Sequence, residues 1–143
     1  MHPYDKRICP LDEFENSRQF GLYGERVAEC YLRKNKYQLL TRNYSSRWGE
    51  IDLICRHKKI QPTVKLANTL VFVEVKTRGP KFLEIPSSAV TRSKQRRLKL
   101  TAQAYLQELE CSDPPARFDI VEVILAPGKL PQCEVIQDAF SVA

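Results

Sequence analysis

Gly49-Glu50-Ile51-Asp52-Leu53-Ile54 and, further along, Val71-Phe72-Val73-Glu74-Val75-Lys76 are the stretches that decide how this chain is read. Each sets carboxylates inside an apolar, β-branched run, the pattern of a buried strand, where an unpaired charge costs several kcal/mol. Strand side chains alternate between faces, so Glu74 and Lys76 share one face while Val71, Val73 and Val75 take the other. Asp52 likewise lies opposite the Ile51, Leu53, Cys55 set. Neighbouring strands bring same-face side chains together. Two carboxylates and a lysine at the rim of a sheet suit a divalent cation beside a phosphodiester.

The flanking segments supply the rest of a domain. Apolar residues recur at helical spacing from about Ser17, with Asn16 or Ser17 as N-cap: Phe20, Tyr23, Val27, Ala28, Tyr31, Leu32. This helix ends near Asn35. A strand is expected over about Tyr37–Arg42, followed by an Asn43–Gly49 turn, the two acidic strands and, between them, a basic, proline-containing loop at 57–69. Gly79-Pro80 and Pro86 bracket a second loop. A second helix runs from about Thr91 to Glu110, stopped by Ser112-Asp113-Pro114-Pro115. The last strands are Phe118–Leu125 and about Cys133–Ile136, separated by Pro127-Gly128. All nine prolines fall outside these helix and strand interiors. The order α-β-β-β-α-β-β predicts an α/β protein with a mixed central sheet flanked by helices. Residues 1–17 lack periodicity and read as an N-terminal arm, and 18–143 as a single domain.

Composition narrows the function. The net charge of +6, from 23 Lys and Arg against 17 Asp and Glu, fits a polyanionic partner without requiring one. Five widely spaced cysteines, with no C-x-x-C and two isolated histidines, argue against a zinc site and a disulfide framework. Cys30 and Cys55 fall at apolar positions and read as small buried hydrophobes. With no apolar signal region and no apolar stretch near the ~20 residues of a membrane span, a reducing cytoplasm is the expected compartment.

Phosphodiester hydrolysis needs a metal held by carboxylates, an activated water, and positive charge for the developing oxyanions. Asp52 and Glu74 offer hard oxygen ligands to Mg²⁺, and the main-chain carbonyl of Val75 offers a further one. Lys76 is positioned to orient the attacking water or to stabilise transition-state charge. The competing reading is an ordinary strand face with cross-strand ion pairs.

The combination Gly49-Glu50-x-Asp52 and Glu74-x-Lys76 in this element order resembles the PD-(D/E)xK nuclease superfamily. More narrowly the chain resembles the YraN family of small bacterial endonuclease-like proteins, related to archaeal Holliday-junction resolvases. The similarity rests on Gly24-Glu25-x-x-Ala28, on Arg42-Asn43-Tyr44 running to Gly49–Ile54, and on Val71–Lys76 with Arg78. Ala89-Val90 with Lys94, Ala104-Tyr105-Leu106, Arg117–Val121 and Ala139-Phe140 extend it, so that it covers about residues 18–140. The 57–69 loop is longer than the family's usual connection, and the 1–17 arm has no counterpart. The resemblance implies a restriction-endonuclease-like αβββαβ core and Mg²⁺ or Mn²⁺ at Asp52 and Glu74. It also implies DNA as substrate, in branched or damaged form, and a homodimer if cutting is resolvase-like. In resolvase-like relatives a glutamate on the first helix completes the acidic cluster, and Glu25 is the matching position. By helical spacing Glu25 lies at the edge of the buried face and Glu29 nearer solvent.

Arg92, Lys94, Arg96, Arg97 and Lys99 crowd the start of the second helix, where cations oppose the helix dipole unless an anion binds. Lys94 leans toward the line of Leu98, Ala102 and Tyr105, and is the candidate phosphate or active-site lysine. The rest of the run also fits a solvated basic face. Arg47 and Arg78 are further candidates for phosphate contact. Trp48 suits stacking on a base and equally suits capping the core beside Tyr44. Arg117 and Asp119 read as a structural pair. Besides a nuclease, the sequence admits a DNA-binding accessory protein that keeps the fold without cutting, and a regulatory domain whose acidic cluster binds protein. The basic balance disfavours the last.

Overall fold

A computed structural model describes residues 16–58, 68–79, 90–109 and 114–141. Outside them lie most of the expected N-terminal arm with Cys9, nearly all of the basic loop, the proline loop beyond Gly79, and Cys111. The chain forms α1 (Ser17–Lys34), β1 (Tyr37–Ser46), β2 (Gly49–Lys58), β3 (Asn68–Arg78), α2 (Arg92–Glu108), β4 (Ala116–Ile124) and β5 (Gln132–Phe140). This is the expected α/β order. The strands form one mixed sheet in sequence order, antiparallel at every junction except β3–β4, which α2 joins as a parallel pair.

Each helix begins where its sequence supplies an acceptor for an orphan N–H. The Asn16 side chain accepts from Gln19 N–H at 3.0 Å and Thr91 Oγ1 from Lys94 N–H at 3.1 Å. Phe20, Val27, Ala28 and Leu32 of α1 pack on Leu53, Cys55, Val71, Val73, Val121 and Val123, one face of the sheet. Leu98 and Ala102 of α2 pack on Ile54, Leu70, Phe72 and Phe118, the other face. Cys30 and Cys55 are buried and free, as their apolar positions suggest. Among the described residues no helix is long and apolar enough to cross a membrane.

Three expectations need correction. The strand expected to stop at Arg42 continues to Ser46, and only Arg47 and Trp48 form the turn. A bulge between Leu39 and Thr41 and a left-handed Asn43 (φ 49°) bend the strand without ending it, which hides its continuation from an alternation pattern. Ile51 joins the α2-side core with Ile54 and not the set of Leu53 and Cys55, so the alternation of faces breaks at Asp52, across from left-handed Asn43. The last strand runs to Phe140, past a second bulge with Asp138 at φ 52°.

α1 can lie against β3 because Gly24 has no side chain. A Cβ there would stand 1.8 Å from Thr77 Oγ1 and 2.7 Å from Thr77 Cβ. At the end of the sheet where β3 and β4 begin, a buried polar network closes the α1 side. Arg117 donates to both Asp119 oxygens, at 2.9 and 3.1 Å. The Tyr37 hydroxyl donates to Asp119 Oδ2 at 2.9 Å, and Asp138 N–H, turned inward by its bulge, donates to Oδ1 at 3.0 Å. Arg117 Nη2 also meets His57 Nδ1 at 2.7 Å; a guanidinium only donates, so that ring nitrogen accepts. The structural pairing of Arg117 with Asp119 is thus what the sequence suggests.

Two outcomes follow from this packing. Gly24→Ala gains helix propensity of about 1 kcal/mol but forces α1 off β3, so urea melts should show a net loss of about 1–3 kcal/mol. Thr77→Ala should restore only part of it, since its Cβ still meets the added carbon. Burial first, then the Asp119 carboxylate, pushes the Tyr37 hydroxyl up to about 12, against ~10 in an unfolded chain. A raised folded value means that its contribution is full below the unfolded value and lost as pH rises through the folded one. Wild type should therefore exceed Tyr37→Phe by about 1–3 kcal/mol at neutral pH, and urea melts should show that margin shrinking between about pH 10 and 12.

Candidate active site

The β2–β3 ladder closes at Leu53 opposite Val73. Continued, it would set Ile51 opposite Val75; instead Asp52 Oδ2 accepts the Val75 N–H at 2.8 Å. The strands part at this point, and side chains from both helix layers meet in the opening. Glu25 enters from α1, set there by the close approach of Gly24 to Thr77, and shares a hydrogen bond with Asp52. Asn43 Nδ2 donates to the other side of the Glu25 carboxyl, Oε2, at 3.2 Å. Buried Glu74 comes from β3, and two ammonium groups reach its Oε1: Lys94 from α2 at 2.5 Å and Lys76 at 3.6 Å. Four of the expected site residues, Glu25, Asp52, Glu74 and Lys76, are thus gathered with Lys94.

The electrostatics are those of crowded acids. Burial first, then repulsion from Glu74, holds the Asp52 carboxyl well above the usual carboxylate range, although the Val75 N–H works against this. Burial likewise raises Glu25, partly offset by its bond to Asp52, while the Glu74 and Glu50 charges raise it further. The Glu25 charge adds to the repulsion that Asp52 meets. At Lys94, burial opposes the charge, but the bond to Glu74 outweighs it and holds the ammonium above its ordinary value.

Among the described residues no three of His, Cys, Asp and Glu converge as a ready-made set of ligands. The donor set nevertheless fits a hard divalent cation. It consists of carboxylate oxygens, and the Glu74 and Glu25 charges add to burial in raising Asp52. Val75 touches this group through its N–H.

The model of the uncharacterised protein family UPF0102 matches residues 24–123, a span that contains every one of these side chains. The chain belongs to the UPF0102 family. This is the YraN family of its sequence motifs. A UPF0102 protein of Symbiobacterium thermophilum is 43% identical over 124 residues, covering 87% of this chain and 98% of its own length. One from Geotalea uraniireducens is 38% identical over 128 residues, covering 90% and 94%. One from Rhodococcus opacus is 40% identical over 120 residues, covering 84% and 94%.

In this UPF0102 chain the basic candidates fall into two groups. Arg92, Arg96 and Arg97 are exposed on the first turns of α2, which carry no acid. Arg78 is drawn into a part-buried ion pair with Glu122, Nη2 to Oε1 at 2.6 Å. Arg47 lies over the Trp48 ring, 4.4 Å from its centroid. Trp48 does not cap the core: Tyr44 turns edge-on to Tyr105 and Trp48 stays 40% exposed.

Sequence reasoning missed two residues here. Glu29, expected nearer solvent, is 2% exposed, and Arg42 Nε meets its Oε1 at 2.5 Å. The guanidinium comes from the bulged part of β1, so no spacing within α1 betrays it. Asn43 reaches Glu25 from its left-handed position; the Arg42-Asn43 pair at the expected strand end was the available signal.

Because Asp52 is held against repulsion, Asp52→Asn should raise the melting temperature in EDTA at neutral pH, a gain on the scale of about 1 kcal/mol or more. A calorimetric melt in which the Asp52→Asn variant is less stable than wild type would show that the Val75 bond outweighs the repulsion.

Proposed function

We propose that this UPF0102 protein is a divalent-metal-dependent endonuclease of the PD-(D/E)xK kind that hydrolyses DNA phosphodiester bonds. The observation that carries the reading is Asp52 where β2 and β3 part, with Glu74 and Glu25 near enough to raise its carboxyl and Lys76 and Lys94 against Glu74. Stability alone gives no reason for this arrangement, since crowding acids out of water destabilises a fold, and strongly perturbed carboxyls mark functional sites.

Asp52 and Glu74 would hold Mg²⁺ or Mn²⁺, with the Val75 carbonyl and Glu25 as further ligands. Such a cation supplies Lewis-acid polarisation of a phosphoryl oxygen and lowers the pKa of a water. Lys76 presents its ammonium to charge that develops on the phosphate oxygens, and its stem covers the sheet rim. Lys94 neutralises Glu74 in the resting protein and stands where it can turn to a phosphate. Arg92, Arg96, Arg97 and Arg47 offer exposed charge to flanking phosphates, whereas Arg78 is held by Glu122.

A second reading is a DNA-binding accessory protein with this fold and no cleavage. The Lys94–Glu74 pair favours it, because the ammonium occupies an oxygen that a cation would use. Incubation with linear, single-stranded, flapped and four-way DNA in Mg²⁺, Mn²⁺ or EDTA separates the two. Metal-dependent cleavage is expected, lost in Asp52→Asn and Glu74→Gln. Lys76→Met should leave DNA affinity nearly intact and lower cleavage by roughly 10²-fold or more, since its charge matters as the transition state forms. Cleavage of none of these DNAs would leave the accessory reading.

A further inference from the structure

Beside the acidic cluster, the β1–β2 tip and the first turns of α2 flank an open cleft of about 270 Å³. Trp48, Gly49, Glu50, Lys94, Arg97 and Leu98 line it. That volume is just under the ~300 Å³ at which pockets begin to hold drug-sized ligands. It suits one planar ring system and is too small for a dinucleotide. The backbone of the tip is held. The main-chain N–H of Trp48 donates to Ser46 Oγ at 3.1 Å, and the Ser46 and Thr101 hydroxyls lie 3.3 Å apart, tying the tip to α2. The Thr101 hydroxyl donates in turn to the Arg97 carbonyl at 2.8 Å. Gly49, which opens β2 directly after the turn, has φ 146°, in a region that side chains disfavour. Lys94 belongs to both sites: it lines the cleft, and its Nζ lies 2.5 Å from Glu74 Oε1.

We infer that this cleft takes one unstacked base of a single-stranded or frayed DNA strand, next to the acidic cluster. The inference rests on the nuclease reading for its choice of DNA and for where the cut would fall. An indole left 40% exposed at a rigid tip, with a guanidinium on its ring, is a stacking platform for a base flanked by phosphates. Glu50, held by the Ser45 hydroxyl at 3.3 Å, offers an acceptor to a ring amine beside the indole. Arg47 and Arg97 are left for the phosphates on either side. Bases within a duplex are sealed in their stack, and extracting one costs a few kcal/mol. Single strands, flaps and the frayed arms of branches therefore bind before intact duplex.

Trp48 is the chain's single tryptophan, so its fluorescence reports the site directly. The full protein in EDTA is titrated with a short mixed-sequence single strand and with its blunt duplex, and anisotropy of the labelled DNAs gives affinity. The single strand should quench saturably and the duplex far less. Trp48→Ala should weaken single-strand binding by roughly 5- to 100-fold, with an unchanged circular dichroism melt, and Trp48→Phe should keep most of it. Equal quenching by duplex, no quenching, or wild-type affinity in Trp48→Ala would each overturn the base site. Cleavage is scored separately. A protein that quenches but cuts no DNA overturns the nuclease reading and leaves the base site standing; one that cuts without quenching does the reverse.

Discussion

Where β2 and β3 part, the Val75 N–H loses its main-chain acceptor, and the Asp52 carboxylate replaces it. An orphaned N–H out of water costs about 1–3 kcal/mol, so this part-buried bond holds the Asp52 carboxyl against β3. The rest of the site follows from that constraint. A carboxyl fixed there faces Glu74 on the next strand, and the opening it bridges lets α1 bring Glu25 through from the opposite layer. The helix comes close enough only because residue 24 is glycine. The lysine from α2 then finds, in Glu74, a buried charge in need of a partner.

The protein disposes of its buried acids in contrasting ways. Asp119 is surrounded by donors from Arg117, Tyr37 and Asp138, so nothing in its neighbourhood calls for a ligand. Glu29 has the Arg42 guanidinium. Asp52 is left beside Glu25 and Glu74 with burial and repulsion against it, and Glu74 draws an ammonium from α2. A fully satisfied network specifies a fold; a cluster settled only by compromise has room for something else.

What the sequence disclosed was whatever depends on near neighbours along the chain. The Asn16 cap, the apolar stripe of α1, and the opposite facing of Val73 and Glu74 are local patterns, and all three stand in the structure. Lys94 was legible because it shares a helical line with Leu98 and Ala102. Glu29 was not, since its partner lies on a strand that was expected to have ended. The length of β1 and β5 was hidden by bulges, whose extra residue breaks the alternation. Ile51 and Trp48 depend on where the alternation of faces breaks and where the β1–β2 tip comes to rest against α2, which no spacing records.

Those two bulges have another consequence, at the rims of the sheet. β1 and β5 are its outer strands, and an outer strand presents free N–H and C=O groups to which a further strand can add. On β1 the row is interrupted at Leu39 and Thr41 and turned again by left-handed Asn43; on β5 left-handed Asp138 interrupts it. Exposed Arg42 and Glu134 add charge at these margins. Neither of these rims is a straight template along its whole length, which works against runaway strand addition.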